Sequence, residues 1–184
     1  GPVFYTGNIE NEHRLFKWVK NNEEKIRQAA ESTSSHIKFK KFMVRGLPNY
    51  AYIRFAFDTQ DAMGMNMVTI ATAKIVELIE KETGISCISL AGNFDADKKP
   101  AWINFIESRG RKVWAEATIR KTIVKEVLKT SPKKIYDVWL SKNILGSAMS
   151  GSLGFNAHFA NIIAAIFLAT GQDIAHVVEA SMGI

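Results

Sequence analysis

IKFKKFMVRGLPNYAYIRFAF, residues 37–57, is the stretch whose reading decides the fold. Apolar and polar residues alternate on both sides of Gly46-Leu47-Pro48-Asn49, so Ile37 to Arg45 and Tyr50 to Phe57 are predicted as two strands joined by a hairpin loop. Upstream, Val3 to Thr6 reads as a short β-branched and aromatic strand. Leu15, Val19, Ile26 and Ala30 then recur at helical spacing, which predicts a helix from about Ile9 to Ala30, stopped by the polar run Ser32, Thr33 and Ser34. Downstream, a helix from about Met65 to Lys81 is ended by Gly84, and Ile85 to Leu90 reads as an apolar strand of the buried type.

The order strand, helix, strand, strand, helix, strand is the split βαβ, or ferredoxin-like, pattern. The character of the chain changes beyond Ala91, which places a boundary there. A loop from Gly92 to Lys99 leads to Pro100, suited to be the first residue of a helix reaching Ser108. Lys112 to Ile119 reads as a strand, and Lys121 to Lys129, Pro132 to Leu140 and Asn156 to Thr170 as helices, the last ended by Gly171. That last helix is apolar around most of its circumference, through Ile162, Ile163, Ala165, Ile166 and Leu168, and needs neighbours on all sides. The second half has too few elements to close a core around it. The expected organisation is α+β, with a small ferredoxin-like domain over 1–90 and part of a larger α+β domain over 91–184.

Composition excludes several classes. At 184 residues and 47% hydrophobic, the chain can bury a core and is not of the disordered type. Its longest apolar run, Asn161 to Ala169, is too short to cross a bilayer, and the Gly1-Pro2-Val3-Phe4 start lacks the basic and apolar regions of a signal peptide. No membrane contact is expected from this segment. The single cysteine, Cys87, cannot form an internal disulfide, which fits a reducing, cytosolic setting. A net charge of +6 favours an anionic partner: nucleic acid, an acidic membrane surface or a phosphorylated small molecule.

Three constellations could carry chemistry. Asp61-Ala62-Met63-Gly64-Met65-Asn66-Met67 joins an aromatic strand to a helix; glycine permits close backbone approach, and a helix start attracts phosphate. The same residues also suit an ordinary capped helix with methionines in its core. Asp97-Lys98-Lys99-Pro100 holds two cations beside a carboxylate, because proline restricts the preceding lysine to extended geometry. Such a group suits an anionic substrate and a developing oxyanion, and it equally suits a solvated charged turn. The third runs from Lys142-Asn143 through Gly146-Ser147-Ala148-Met149, Gly151-Ser152, Gly154 and Asn156-Ala157-His158 to Gly171-Gln172-Asp173, where Asp173 is placed to cap a following helix.

These motifs, with Gly92-Asn93, Ile103-Asn104 and Glu107 to Arg111 between them, resemble in order and spacing the class I 3-hydroxy-3-methylglutaryl-coenzyme A (HMG-CoA) reductases. The likeness covers most of the chain beyond its first fifty or so residues. It implies a reduction of HMG-CoA to mevalonate and free coenzyme A by two hydride transfers from NADPH, in isoprenoid biosynthesis. It implies Lys98 and Asp173 as catalytic residues, and Asp97, Lys99 and Lys142 as ligands of the hydroxymethylglutaryl portion. Ser34, Asp61, Met63, Gly64, Met65 and Asn66 are implied to bind the nucleotide in the small domain, with no metal. A homodimer or higher homo-oligomer is implied, in the cytoplasm or as the cytosolic part of a membrane-anchored enzyme.

Departures from the family pattern are also visible. Ala91 stands where relatives usually have a serine that contacts substrate, Ser35 stands where many eukaryotic relatives have an arginine for the 2′-phosphate of NADPH, and Gly154 replaces a glycine pair. The resemblance further implies that a catalytic glutamate and a substrate-binding arginine lie upstream of Gly1 and a catalytic histidine beyond Ile184, so the 184 residues alone are expected to be inactive. Two other classes fit the bare composition. A ferredoxin-like half with Tyr50, Tyr52, Phe55 and Phe57 on one strand could be an RNA-recognition module, though the strand lacks the ribonucleoprotein pattern. A noncatalytic interaction domain is the other.

Overall fold

The hairpin closes through a tighter turn than its sequence suggests. In the computed structural model, which describes residues 1–107 and 109–184, Lys38–Leu47 (β2) pairs antiparallel with Tyr50–Asp58 (β3), from Lys38↔Asp58 to Leu47↔Tyr50. Gly46 and Leu47 therefore belong to the ladder, and only Pro48 and Asn49 turn the chain. Asn49 has φ 67°, as the second central position of a proline-led type II turn requires. The plain alternation read from the sequence is also broken: register shifts between Phe39 and Lys41, leaving Lys40 as an extra, bulged residue. Phe39 and Phe42, three apart, consequently sit opposite Phe57 and Phe55 and share one face of the sheet.

Val3–Tyr5 (β1) pairs antiparallel with β3 on one side and with Cys87–Ser89 (β4) on the other, giving a four-stranded sheet in the order β2-β3-β1-β4. Three helices pack on its inner face: Ile9–Asn21 (α1), Glu23–Glu31 (α2) and Met65–Thr83 (α3). Phe4, Phe39, Ile53 and Phe55 from the strands meet Leu15 and Val19, Ile26 and Ala30, and Ile75 and Ile79 from the helices in one core. The architecture is thus mixed α+β with an antiparallel sheet.

Two predicted elements of this half differ. The single helix expected from Ile9 to Ala30 is two, because Asn22 leaves helical geometry at φ −120° and ψ 29°. Its Nδ2 and its backbone N–H both donate to the Trp18 carbonyl, at 2.8 and 3.0 Å, so the asparagine competes with the helix for that acceptor. The buried strand expected over Ile85 to Leu90 is a three-residue edge strand. Its one neighbour, β1, is only three residues long, and Ile88 is 59% exposed while Ile85 is buried.

Residues Gly1–Asp95 and Ala96–Ile184 form separate compact units. The second contains Trp102–Ile106 (α4), Lys121–Glu126 (α5), Pro132–Val138 (α6), a π-helical segment Trp139–Gly146, Ser147–Ser150 (α7), Phe159–Thr170 (α8), a 3₁₀ turn Ile174–His176 and Val177–Ala180 (α9). Helix α4 starts after Pro100, since Ala101 is still extended at φ −148°; its expected end at Ser108 lies outside the described residues. The strand expected over Lys112 to Ile119 joins no ladder among the described residues, and Val113 and Trp114 are exposed. The helix expected to end at Leu140 continues in π and α geometry to Ser150, while α8 starts three residues late because His158 has φ 66°. Apolar burial in this unit is sparse: of its described hydrophobic residues only Ala96 and Val124 are buried, alongside the polar Asn104 and His176. No helix among the described residues is long and apolar enough to cross a membrane.

The core assignment sets a stability contrast. Phe4 is wholly buried between sheet and helices, so Phe4→Ala is expected to lower unfolding free energy by about 3–5 kcal/mol in chemical denaturation, through lost burial and a cavity. Ile88→Ala, on the exposed edge, should change it by less than about 0.5 kcal/mol.

Candidate active site

The loop that leads into α4 is held in an unfavourable backbone shape. Ala96 and Lys98 have φ 55° and 59°, left-handed values that cost a non-glycine residue about 1–3 kcal/mol each unless the surroundings fix them. Two contacts do so. The buried Asn104 donates its Nδ2 to the Ala96 carbonyl at 3.1 Å, and the Lys98 backbone N–H donates to Glu179 Oε1 at 3.2 Å.

With its backbone so fixed, Lys98 extends its ammonium to Asp173, Nζ to Oδ2 at 2.6 Å, with both side chains a little under half exposed. Asp173 also performs the capping task its position suggests, since its Oδ1 accepts the Ala175 N–H at 3.0 Å and starts the 3₁₀ turn. Each carboxylate oxygen thus has a separate duty. The Asp173 hydrogen bond holds the Lys98 ammonium above its ordinary pKa, with smaller contributions from Asp97 and Glu179. Conversely the Lys98 hydrogen bond, then the Ala175 N–H, hold the Asp173 carboxyl below its ordinary value.

A second layer lies beneath this pair. Arg109 Nη2 meets Asp97 Oδ1 at 2.5 Å and its Nε lies 3.7 Å from Glu179 Oε1. His176 Nδ1 is 2.5 Å from Glu179 Oε1 and 3.3 Å from Asp97 Oδ1, with Nε2 3.9 Å from Asp173 Oδ2. Asp97, His176 and Glu179 each offer a ligand atom within 4.8 Å of the others, as a metal site would require. The Arg109 guanidinium already brings a fixed positive charge to two of them, so the group is an ion-pair network with its own cation.

Of the residues expected at the site, Asp97, Lys98, Lys99 and Asp173 come together here; Lys99 folds back so that its Nζ donates to the Asp97 carbonyl at 3.2 Å. Lys142 lies in the π-helical segment, exposed, and its ammonium takes no hydrogen bond or ion pair among the described residues. Arg109, His176 and Glu179 were not singled out from sequence as site residues. The signal available was the spacing Asp173, His176, Glu179, which puts three ionisable groups on one side of a helical turn.

The residues expected to meet a nucleotide belong to the other unit. Gly64, at φ 78°, begins α3, and a Cβ there would fall 2.4 Å from Thr59 Cγ2, so a side chain is excluded. No side chain caps the first turn of this 19-residue helix and no acidic residue lies in it, which leaves its positive end suited to phosphate. Ser34 Oγ accepts the His36 N–H at 3.1 Å, and His36 Nδ1 reaches Gln60 Oε1 at 3.3 Å, bringing the 34–36 turn beside the segment that starts at Asp61. Lys38 and Lys40 are paired with Glu31 and Asp58.

A family model described as hydroxymethylglutaryl-coenzyme A reductase matches residues 1–184. Among curated proteins the chain is similar to 3-hydroxy-3-methylglutaryl-coenzyme A reductase of Methanothermobacter thermautotrophicus, 50% identical over 186 residues, which cover 100% of this chain and 46% of that protein. The protein of the same description in Haloferax volcanii is 45% identical, covering 100% and 45%, and that of Blattella germanica is 43% identical, covering 98% and 22%. The chain therefore spans less than half the length of these relatives.

The Lys98–Asp173 pair has a defined pH window. The Asp173 pKa is depressed, so its contribution is present above the ordinary carboxylate range, about 3.9, and is lost as pH falls through the lower folded value; the Lys98 pKa is raised, so its contribution is present below about 10.4 and is lost as pH rises through the higher folded value. Asp173→Asn should return Lys98 toward its ordinary titration. Following the lysine ε-carbon resonances against pH checks this, and an unmoved Lys98 would separate the two residues.

Proposed function

The chain belongs to the hydroxymethylglutaryl-coenzyme A reductase family, and on that premise we propose that the protein reduces HMG-CoA to mevalonate and free coenzyme A with NADPH. The observation that carries the reading is the short Lys98–Asp173 ion pair, presented on a strained loop with its cation still accessible. Reduction of a thioester builds negative charge on the carbonyl oxygen. An ammonium fixed beside that oxygen stabilises the charge without reorganising, an effect worth several kcal/mol in a water-poor site. Lys98 takes this role in both reductive stages, and Asp173 keeps it protonated and aimed. Lys99 and Lys142 suit the substrate carboxylate as point charges, and Asp97, fixed by Arg109, lies in the same loop as Lys98 and Lys99.

Bound NADPH would supply the hydrides. Its phosphates suit the uncapped start of α3, at Gly64, Met65 and Asn66, with Asp61, Met63 and Ser34 around the remainder of the nucleotide. The strand order β2-β3-β1-β4, antiparallel throughout, supports a ferredoxin-like small domain over 1–90 for this purpose. We assign 91–184 to the substrate-binding domain, and a cytosolic homo-oligomer to the working protein. The RNA-recognition alternative loses its basis, because Phe55 and Phe57 point into the core while Tyr50 and Tyr52 alternate to the other face, so the four rings offer no common stacking surface.

Two tests follow in the full-length protein. Lys98→Ala should lower mevalonate formation by at least about 100-fold with little change in thermal unfolding, and Asp173→Asn should also cripple turnover while nucleotide binding stays near normal; near-normal turnover in folded Lys98→Ala protein would sink the assignment. Ser35→Arg should raise the NADPH over NADH ratio of kcat/KM by about tenfold, because a guanidinium makes charge-assisted bonds to a phosphate dianion that a hydroxyl cannot. An unchanged ratio at fixed ionic strength would mean that position 35 does not face the 2′-phosphate.

A further inference from the structure

The contacts beneath Lys98 converge on one oxygen. Glu179 Oε1 accepts the Lys98 backbone N–H at 3.2 Å, lies 2.5 Å from His176 Nδ1 and 3.7 Å from Arg109 Nε, and the Glu179 side chain is only 7% exposed. Asp173, His176 and Glu179 follow one another at intervals of three through the 3₁₀ turn and α9, so they present one edge of a helical turn to the loop. Its first residue takes the Lys98 ammonium, its middle residue meets Asp97, and its last takes the Lys98 amide. The lysine is thus held at its ammonium and at its amide by one short helical run.

We propose that Glu179, oriented by Arg109 and His176, is a positioning residue that sets the left-handed backbone of Lys98 and thereby aims its ammonium. The guanidinium and the imidazole both meet Oε1 of this nearly buried carboxylate, so the acceptor for the Lys98 N–H stands where the strained φ requires it. Without that acceptor Lys98 relaxes toward negative φ, which redirects its Cα–Cβ bond and carries Nζ away from Asp173. A displacement of about 1 Å at a reacting group can cost on the order of 100-fold in rate.

The inference rests on the reading of Lys98 given above, and two substitutions in the full-length protein test it by separating reach from charge. Glu179→Gln keeps an oxygen at the same distance and loses the charge; Glu179→Asp keeps the charge and draws the oxygen back by one methylene. Positioning predicts that Gln retains more activity than Asp, with kcat of the Asp variant lower by about 10- to 100-fold and KM for the reduced nucleotide unchanged. The Lys98 ε-carbon titration should fall toward its ordinary value in the Asp variant and stay raised in the Gln variant, where Asp173 and Asp97 still face the ammonium and His176 still adjoins Asp173. The reverse order, Asp more active than Gln, would replace positioning by a purely electrostatic role and overturn the proposal, as would a Lys98 titration unmoved in Glu179→Asp. Lys98→Ala is the control: activity there defeats the role given to Lys98, whereas an inactive Lys98→Ala beside a fully active Glu179→Asp defeats the role given to Glu179 alone.

Discussion

A lysine with a left-handed backbone is strained, and its long side chain has no single direction, unless partners fix the backbone and the ammonium. In the second unit those partners are two carboxylates of one helical run, Asp173 on the side chain and Glu179 on the amide. The remaining contacts of the site follow from this need. Arg109 and His176 keep the Glu179 charge tolerable in a nearly closed space, Asn104 holds the neighbouring Ala96 carbonyl, and Asp173 has one oxygen to spare for starting the turn that carries the others. The polar character of this unit's interior therefore goes with the network that holds the Lys98 loop. Where apolar residues would usually fill, His176 and Asn104 are buried instead.

The first unit works by the opposite logic. Its core is apolar and continuous, and its candidate binding feature is the start of a long helix left without a side-chain cap. A helix start without a side-chain cap is weakly attractive to an anion; here the glycine before it is packed against Thr59, so that no side chain could stand at that position. The two compact units thus differ in what they offer: the uncapped start of a long helix in one, and a lysine held within a network of carboxylates in the other.

Much of this was legible in the sequence, for local reasons. Alternation around Pro48-Asn49 marks the hairpin, helical spacing and Gly84 mark α3, and Asp97 to Pro100 marks a charged loop, because each is decided by residues a few positions apart. What escaped depends on distant or competing partners. Asn22 splits a helix by bonding back to Trp18, and the short β1 limits β4 to an edge of three residues. The π geometry around Lys142 has no signature in its residues. The spacing Asp173, His176, Glu179 hints at a charged edge, but that Arg109 and Glu179 meet at the loop of Asp97 depends on positions 97, 109 and 179 coming together, which no spacing rule reports.

The bulge at Lys40 has a consequence for how this hairpin can change over evolutionary time. Lys40 and Lys41 are identical neighbours, and one of them is surplus to the ladder. A lineage could lose either and recover a plain alternating strand with Phe39, the second phenylalanine and the valine still turned inward. Loss of one residue anywhere between Phe42 and Arg45 would instead exchange inside for outside along the rest of the strand. The lysine pair is in this sense a tolerance in the reading frame of the fold, the one place in β2 where chain length and the identity of the buried face are uncoupled.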